Sequence, residues 1–331
     1  MQIIELSTSD AQSRFERLPR ALQLQSLSPE FAAVDALRNP ELRCVHIAIE
    51  NGVDQWLKSV HVRALPMGDC YGAQSPYGYG GVLCTTRDPD FLQAAWKIWQ
   101  QWCVSRCIIA EFCRFHPHAD DLACFAGVVR ENRQTVSVDL RSADYTSRFS
   151  AMAQRKIRKA HGVEVVWTQA ALDWACFARF YRQAMLTMQA TPFYLFPDPY
   201  FEAMSAMASA WLVFCRLDGV WLSAGAYLMG PELAEYHLGA SAPEGLVLGT
   251  PYRMQAAAMQ RARATGARSL YLAGGTDPSP DNSLLFYKRS FGRLMLPFFV
   301  GEAIHDAPRY WALAASLGFT STAAPTRIFF D

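Results

Sequence analysis

The sequence predicts a mixed α/β protein built as two consecutive layered halves, and three observations predict it. Two pairs of short apolar runs each turn on a strong hairpin dipeptide: 44–50 with 55–63 across Asn51-Gly52, and 211–217 with 220–229 across Asp218-Gly219. Each hairpin is accompanied by amphipathic helices and further strands, so one order of hairpin, strand, helix and strand occurs twice. A chain of 331 residues is long for one core, and with 51% hydrophobic residues it carries enough apolar material for two. The seam is expected between Arg141 and Thr146, giving an N-terminal domain over 1–143 and a C-terminal domain over 144–331.

In the first half, helical patterns at 9–18 and 29–37 precede the hairpin. A glycine- and tyrosine-rich loop follows at Ser75–Gly81. The pattern at 91–106 predicts a helix with Trp96, Trp99 and Cys103 on one side. Strands follow at 107–116, ended by Pro117, and at 134–140. In the second half, 144–161 is a basic helical run, and 171–188 and 199–208 are amphipathic helices ahead of the hairpin. A strand at 233–241 comes next, then a helix capped by Thr250 with Pro251 in its first turn and running to about Ala264. The strand at 269–273 leads through Gly274-Gly275 into a last short helix. Asp281 or Ser283 is expected to cap that helix and Gly292 to end it.

Composition narrows the function. With 31 basic and 30 acidic residues the net charge is +1, which disfavours a surface devoted to polyanions but leaves room for a local basic patch. The nine cysteines contain no C-x-x-C pair and no histidine partner at zinc spacing, so no metal site is expected. They read as small buried hydrophobes in a reducing compartment. The N-terminal residues carry no apolar leader pattern, and no window has the apolar length of a membrane span. A cytoplasmic location is expected.

The residue with most chemical promise is Lys288. Leu284, Lys288 and Phe291 fall at i, i+4 and i+7 of the short helix, so the lysine projects from an apolar face. Such a lysine either snorkels to the edge of the core or delivers a charge into a cleft. The glycine turn just upstream lets backbone approach a ligand closely.

Four phrases, in this order along nearly the whole chain, resemble the FemAB-like branch of tandem-GNAT acyltransferases: Ser75–Gly81, Arg114–Pro117, Arg155–Val163, and the block from Gly274-Gly275 to Phe291-Gly292. That family includes peptidoglycan bridge-forming aminoacyl ligases and acetyltransferase-like relatives. The resemblance implies two tandem GNAT-like domains sharing a central cleft, and transfer of an acyl or aminoacyl group to an amine. The chain departs from the family in three places. It has no heptad run for the coiled-coil arm of the ligases. It has His116 where they tend to have an acidic residue. The loop at 242–249 lacks the arginine-first glycine signature that GNAT enzymes use for coenzyme A pyrophosphate.

On this resemblance Lys288 stands beside the transferred carbonyl, against the alternative of pairing with Asp277 or Asp281. His116 is the candidate proton acceptor and Arg114, two residues before it on the same strand face, a carboxylate or phosphate holder. Tyr77 and Tyr79 suit sugar or acyl recognition. Arg155 and Arg158 are candidate phosphate contacts, with Lys156 and Lys159 beside them. Tyr194 in its aromatic cluster and His237, which shares a strand face with Glu235, complete the substrate set. Gly249 and Thr250, at a helix N-terminus, would meet a donor phosphate. Three functions are carried forward. The first is an N-acyltransferase using acyl-CoA or an acyl carrier protein, with no tightly bound cofactor, on an amine of a cell-envelope or glycan precursor. The second is a Fem-type transferase using aminoacyl-tRNA on a peptidoglycan precursor, disfavoured by the near-neutral charge and the missing arm. The third is a non-catalytic GNAT-like module that binds a glycan or peptide.

Overall fold

In the computed structural model, which describes residues 1–66, 69–279 and 281–319, the chain divides into two compact units. Unit 1 comprises 1–132 together with the chain from 297 onward, and unit 2 comprises 133–296.

Unit 1 contains β1 (Gln2–Leu6), α1 (Thr8–Glu16), α2 (Pro29–Ala36), β2 (Arg43–Glu50), β3 (Gln55–Ala64), β4 (Tyr71–Gln74), β5 (Leu83–Cys84), α3 (Pro89–Ser105) and β6 (Ile108–Arg114). The next strand, β7 (Val128–Asp139), runs from unit 1 into unit 2. Unit 2 then contains α4 (Ala151–Lys159), β8 (Glu164–Thr168), α5 (Ala171–Thr187), α6 (Asp198–Ala206), β9 (Ala210–Leu217), β10 (Val220–Met229), β11 (Leu233–Ser241), α7 (Pro243–Leu248), α8 (Thr250–Ala264), β12 (Ser269–Gly274) and α9 (Ser283–Arg289). The chain returns to unit 1 along β13 (Leu294–Ile304) and ends its described part with α10 (Ala307–Ser316).

Both units follow one plan. In unit 1 the strand order is β1-β2-β3-β4-β6-β13, with the parallel pair β4/β6 between antiparallel neighbours. In unit 2 the order is β8-β9-β10-β11-β12-β7, with the parallel pair β11/β12 in the matching place. The closing strand of unit 1 is β13, whose residues 300–304 pair with 110–114 of β6. The closing strand of unit 2 is β7, whose residues 135–139 pair with β12. This exchange corrects the single seam at 143/144: β7 is drawn into unit 2 by its pairing with β12, and the C-terminal strand goes back to β6.

The elements form for legible reasons. α3 starts at Asp88, whose carboxylate accepts from the Asp90 amide, and Pro89 occupies its first turn. Its apolar stripe buries Phe91, Ala95, Trp99 and Cys103 in the unit 1 core, each large side chain contributing about 1.5–3 kcal/mol. Within that core sits a wholly buried charge cluster. Lys58 Nζ lies 2.6 Å from Glu111 Oε1, and Glu111 Oε2 accepts from Trp99 Nε1 at 2.9 Å and faces His305 Nε2 at 3.3 Å. Burial pushes the Glu111 carboxyl up, but Lys58 and His305 outweigh it and hold it at about 2. The unit 2 core gathers Val136, Val138, Leu270 and Leu272 from the sheet with Met254, Ala258, Met259 and Ala262 from α8.

Two predicted caps are corrected. The start of α9 is capped by Asn282, whose Oδ1 accepts from the Leu284 and Leu285 amides, and not by Asp281 or Ser283. The α8 helix begins from Gly249, held in the left-handed region at φ 83°, and the Thr250 side chain caps nothing. Thr250 is instead buried, its hydroxyl bonded to Ser223 Oγ and to the Gly245 carbonyl at 3.2 Å. The basic run at 144–161 is one 3₁₀ turn followed by α4, because Ser150 leaves the helical path to cap Ala153.

Candidate functional site

The strongest chemical feature is the end of β12 and the helix after it. β12 carries an extra residue against β7: Tyr271 faces Ser137 and Ala273 faces Val136, leaving Leu272 between them. Ala273 sits at φ 62°, a left-handed conformation that costs a non-glycine residue about 1–3 kcal/mol. The turn this produces exposes two successive carbonyls to two cations. Lys288 Nζ donates to Gly274 O at 2.7 Å, and Arg133 Nη1 donates to Gly275 O at 3.0 Å. The loop is tied below by Asn282, whose Nδ2 donates at 2.7 Å to both Thr276 Oγ1 and Asp277 Oδ2. Asp277 is therefore spent on Asn282, and Lys288 pairs with neither Asp277 nor Asp281.

Lys288 is only 5% exposed, and among the described residues no carboxylate pairs with it. Its ammonium lies 5.9 Å from the centre of the Tyr236 ring on β11. Burial first, and the Arg133 charge second, bring its pKa down to about 7. Near neutral pH this amine gains and loses a proton readily, an unusual property for a lysine.

The strand beside it is also irregular. On β11, Leu238 faces Ala226 and Tyr236 faces Tyr227, so His237 is the extra residue of a bulge. His237 Nε2 is hydrogen-bonded to Tyr200 Oη at 2.5 Å, which fixes the ring on α6. Glu235 is buried one turn of strand earlier. Tyr287, next to Lys288 on α9, donates from its hydroxyl to the Pro251 carbonyl at 2.9 Å, so the lysine helix is pinned to the first turn of α8.

Sequence phrases far apart also meet at that turn. Gly249 packs against Lys156, where a β-carbon would lie 3.0 Å from the Lys156 carbonyl, and Lys159 Nζ donates to Val247 O at 3.0 Å. The basic α4 and the α7–α8 junction thus form one surface. The segment at 242–249, which lacks the glycine signature, folds as α7 rather than as an open phosphate loop. Arg155 and Arg158 are exposed on α4. Tyr194 lies on a 3₁₀ turn with its ring edge-on to Phe193, within its own turn.

Unit 1 gathers the other candidates into two groups. Asp35 is the hub of the first: Oδ2 accepts from the Tyr77 amide at 2.6 Å, Oδ1 lies 2.8 Å from Arg38 Nε, and Arg38 lies over the Tyr77 ring. Arg114 lies over the Phe112 ring at 4.8 Å and is within electrostatic reach of Arg38, Asp35 and Tyr77. The second group centres on His116, which is 1% exposed; its ring meets Tyr79 edge-on at 4.6 Å and its Nδ1 accepts from the His118 amide. His116 is thereby a packed residue at the strand end. Asp121 lies nearby, with Oδ2 accepting from Val82 N at 3.0 Å; burial raises its pKa to about 6. Gly81, at φ 122°, allows this, since a β-carbon there would overlap the Asp121 carboxylate.

Ala273, Arg133, Tyr236 and Asp121 were not anticipated. Gly274-Gly275 signalled a turn, but nothing in the sequence marks Ala273 for a left-handed backbone. Tyr236 and Arg133 become visible only through strand pairing.

No protein-family model matches the sequence, and no curated protein matches it. Solved structures do. FemX superposes with a TM-score of 0.73 over 94% of this chain and 99% of its own, at 13% identity. The C-terminal domain of a putative lysylphosphatidylglycerol synthetase from Agrobacterium fabrum gives 0.58 over 96% and 98%, also at 13% identity. A tandem GNAT protein from the clavulanic acid biosynthesis pathway gives 0.51 over 92% and 98%, at 13% identity. The fold is the tandem-GNAT fold that the four sequence phrases led us to expect. Among the described residues no helix is long and apolar enough to cross a membrane, and no cluster of side chains could hold a metal ion.

Proposed function

We propose that the protein transfers an acyl group from an activated donor to an amine, with Lys288 beside the transferred carbonyl. The observation that carries this is a buried lysine without a carboxylate partner, set on the strained Ala273–Gly275 turn of a tandem-GNAT fold. An acyl transfer develops negative charge on the donor carbonyl, and a compact ammonium in a water-poor site stabilises that charge far better than it would in water. The donor on this proposal is acyl-CoA or an acyl carrier protein, used as a co-substrate rather than a tightly bound cofactor. The acceptor is an amine of a cell-envelope or glycan precursor made in the cytoplasm. Within unit 1, Tyr77, Tyr79 and Arg114 are the candidates for binding a sugar, acyl or carboxylate group. Thr250, its hydroxyl already engaged, would contribute only backbone to a donor phosphate.

One observation favours an aminoacyl-tRNA donor as a second reading. The chain accounts for 99% of FemX, so its lack of a coiled-coil arm does not set it apart from that Fem protein.

The test is a thermal-shift screen of the purified protein against acetyl-CoA, longer acyl-CoAs, an acylated carrier protein and charged tRNA. A ligand that binds only the folded state at 100 times its Kd adds about 2.7 kcal/mol of apparent stability, so the donor class is expected to raise the melting temperature by several degrees. If no donor raises it, and no transfer to an amine is detected, the protein is a binding module.

A further expectation concerns α4. Replacing Arg155 and Arg158 by Ala is expected to raise KM for the phosphate-bearing substrate severalfold and to weaken its salt dependence, with kcat little changed. Wild-type kinetics at both low and high salt would leave α4 as a solvated face.

A further inference from the structure

Unit 2 contains a groove of about 1220 Å³ along the outer side of α8, which shares no lining residue with the Lys288 turn. Five arginines line it: Arg141, Arg253, Arg261, Arg263 and Arg268. Among the described residues no acidic side chain does. In a chain of net charge +1 this is a local concentration of positive charge. Two of the five are neutralised from outside the groove: Arg141 forks onto Asp139 at 2.9 Å, and Arg268 faces Glu232 at 3.7 Å. Among the described residues the other three have no carboxylate partner. Arg263 donates to the Leu140 carbonyl, Arg261 lies over the Trp211 ring at 5.0 Å, and Arg253 Nε is buried without a hydrogen-bond partner. On α8 the side chains between them are small, Ala256, Ala257 and Ala264, and they lie beside Val165 and Trp167 of β8.

We propose that this groove docks an acidic helix of an acyl carrier protein. The small side chains of α8 let the backbone of a second helix lie close to it, and the arginine walls meet carboxylates spaced along that helix. From Arg253 to Ala264, α8 runs for about 18 Å, which matches three turns of a facing helix. The same walls suit a single-stranded nucleic acid less well. That ligand needs free aromatic faces for its bases, and the ring of Trp167 is edge-on to Trp211 and already carries Arg261. The proposal rests on the transferase reading for what the docked partner delivers; the docking itself is electrostatic and steric.

The experiment uses apo acyl carrier protein, which lacks both prosthetic arm and acyl group, titrated calorimetrically into the full-length protein at low and at high salt. Binding is expected at low salt and is expected to weaken at least tenfold at high salt. Arg261→Glu with Arg263→Glu, on the exposed rim, is expected to weaken it at least tenfold more. Ala257→Trp, which replaces a small side chain of α8 by a large one, is expected to do the same, and melting curves establish that each variant is folded. Transfer from acyl-CoA, measured in the same variants, is expected to be unchanged, because none of these residues touches the Lys288 turn. Absence of carrier-protein binding, or binding unaffected by the rim variants, overturns the proposal. So does an RNA oligonucleotide that binds the wild type and is lost in the rim variants while the carrier protein does not bind. Carrier-protein binding without transfer from any donor would refute the transferase reading and leave the docking surface standing.

Discussion

Lys288→Met is expected to lower single-turnover transfer by about 100-fold or more while leaving the protein folded and donor binding largely intact. The methionine keeps the unbranched stem that packs beneath Tyr236, and removes only the charge and the bond to the Gly274 carbonyl. An interaction that grows only as charge develops on the carbonyl affects kcat and leaves binding alone. Lys288→Arg is expected to recover part of the loss, since a planar guanidinium does not place its charge where a compact ammonium does. Lys288→Met has a second, opposite effect on stability. The folded-state pKa of Lys288 is lowered to about 7, so between pH 7 and pH 10.5 the unfolded chain binds a proton that the folded chain does not. Wild-type stability therefore rises with pH through that window, and below pH 7 it carries the full cost of enclosing the ammonium, at most about 5 kcal/mol. The methionine variant lacks that cost. It is expected to melt higher than the wild type at pH 6 and to lose the advantage progressively toward pH 10, which denaturant titrations at several pH values would measure. An inactive protein that is more stable than its parent is the signature of a charge kept for chemistry.

Lys58→Met is expected to act in the other direction, destabilising the fold by about 3–5 kcal/mol. It leaves Glu111 ionised in the unit 1 core with only Trp99 and His305 to answer it. Glu111, held near a pKa of 2 against its ordinary 4.5, contributes stability that is present above pH 4.5 and is lost as pH falls through 2. Lys58 has its pKa raised: burial opposes the charge, but Glu111 more than compensates, so its contribution is present below pH 10.5 and is lost only above that. The double variant Lys58→Met with Glu111→Leu removes both charges and is expected to recover most of the loss. Denaturant midpoints of the wild type, Lys58→Met, Glu111→Leu and the double variant measure the coupling directly. Equal destabilisation in the single and double variants would mean that the loss comes from packing against Trp56 and Trp99.

Much of the fold was legible because its signals are local. Asn51-Gly52 and Asp218-Gly219 each close a hairpin where the turn chemistry places it, and the 3.6-residue stripe of α3 buries Trp99 and Cys103 as its spacing implies. What could not be read is long-range. β1, β8 and β13 have pairing partners about 40 or more residues away in sequence, and nothing in β13 announces that it pairs with β6. The capping errors have a common cause. Asn282 and Gly249 each sit one residue from a residue type equally able to cap, and backbone conformation decides between them. At the candidate site, the helix face of Lys288, the glycine turn before it and the family resemblance singled the residue out in the sequence. For His116, strand alternation tells which face the side chain takes but not that its ring packs on Tyr79 and its Nδ1 accepts from the His118 amide. The lowered pKa of Lys288 comes first from burial and second from Arg133, which stands 155 residues away in sequence.

The proposed chemistry requires the protonated form of Lys288 at the donor carbonyl, and the pH dependence of single-turnover transfer tests this most directly. With the donor identified, wild-type transfer is expected to fall as pH rises through about 7, where the lysine loses its proton. In Lys288→Arg, whose side chain keeps its charge, that limb is expected to vanish from the neutral range and the reduced rate to stay level. Full activity in the folded methionine variant, or the same limb near pH 7 in the arginine variant, would contradict the account and move the catalytic charge elsewhere.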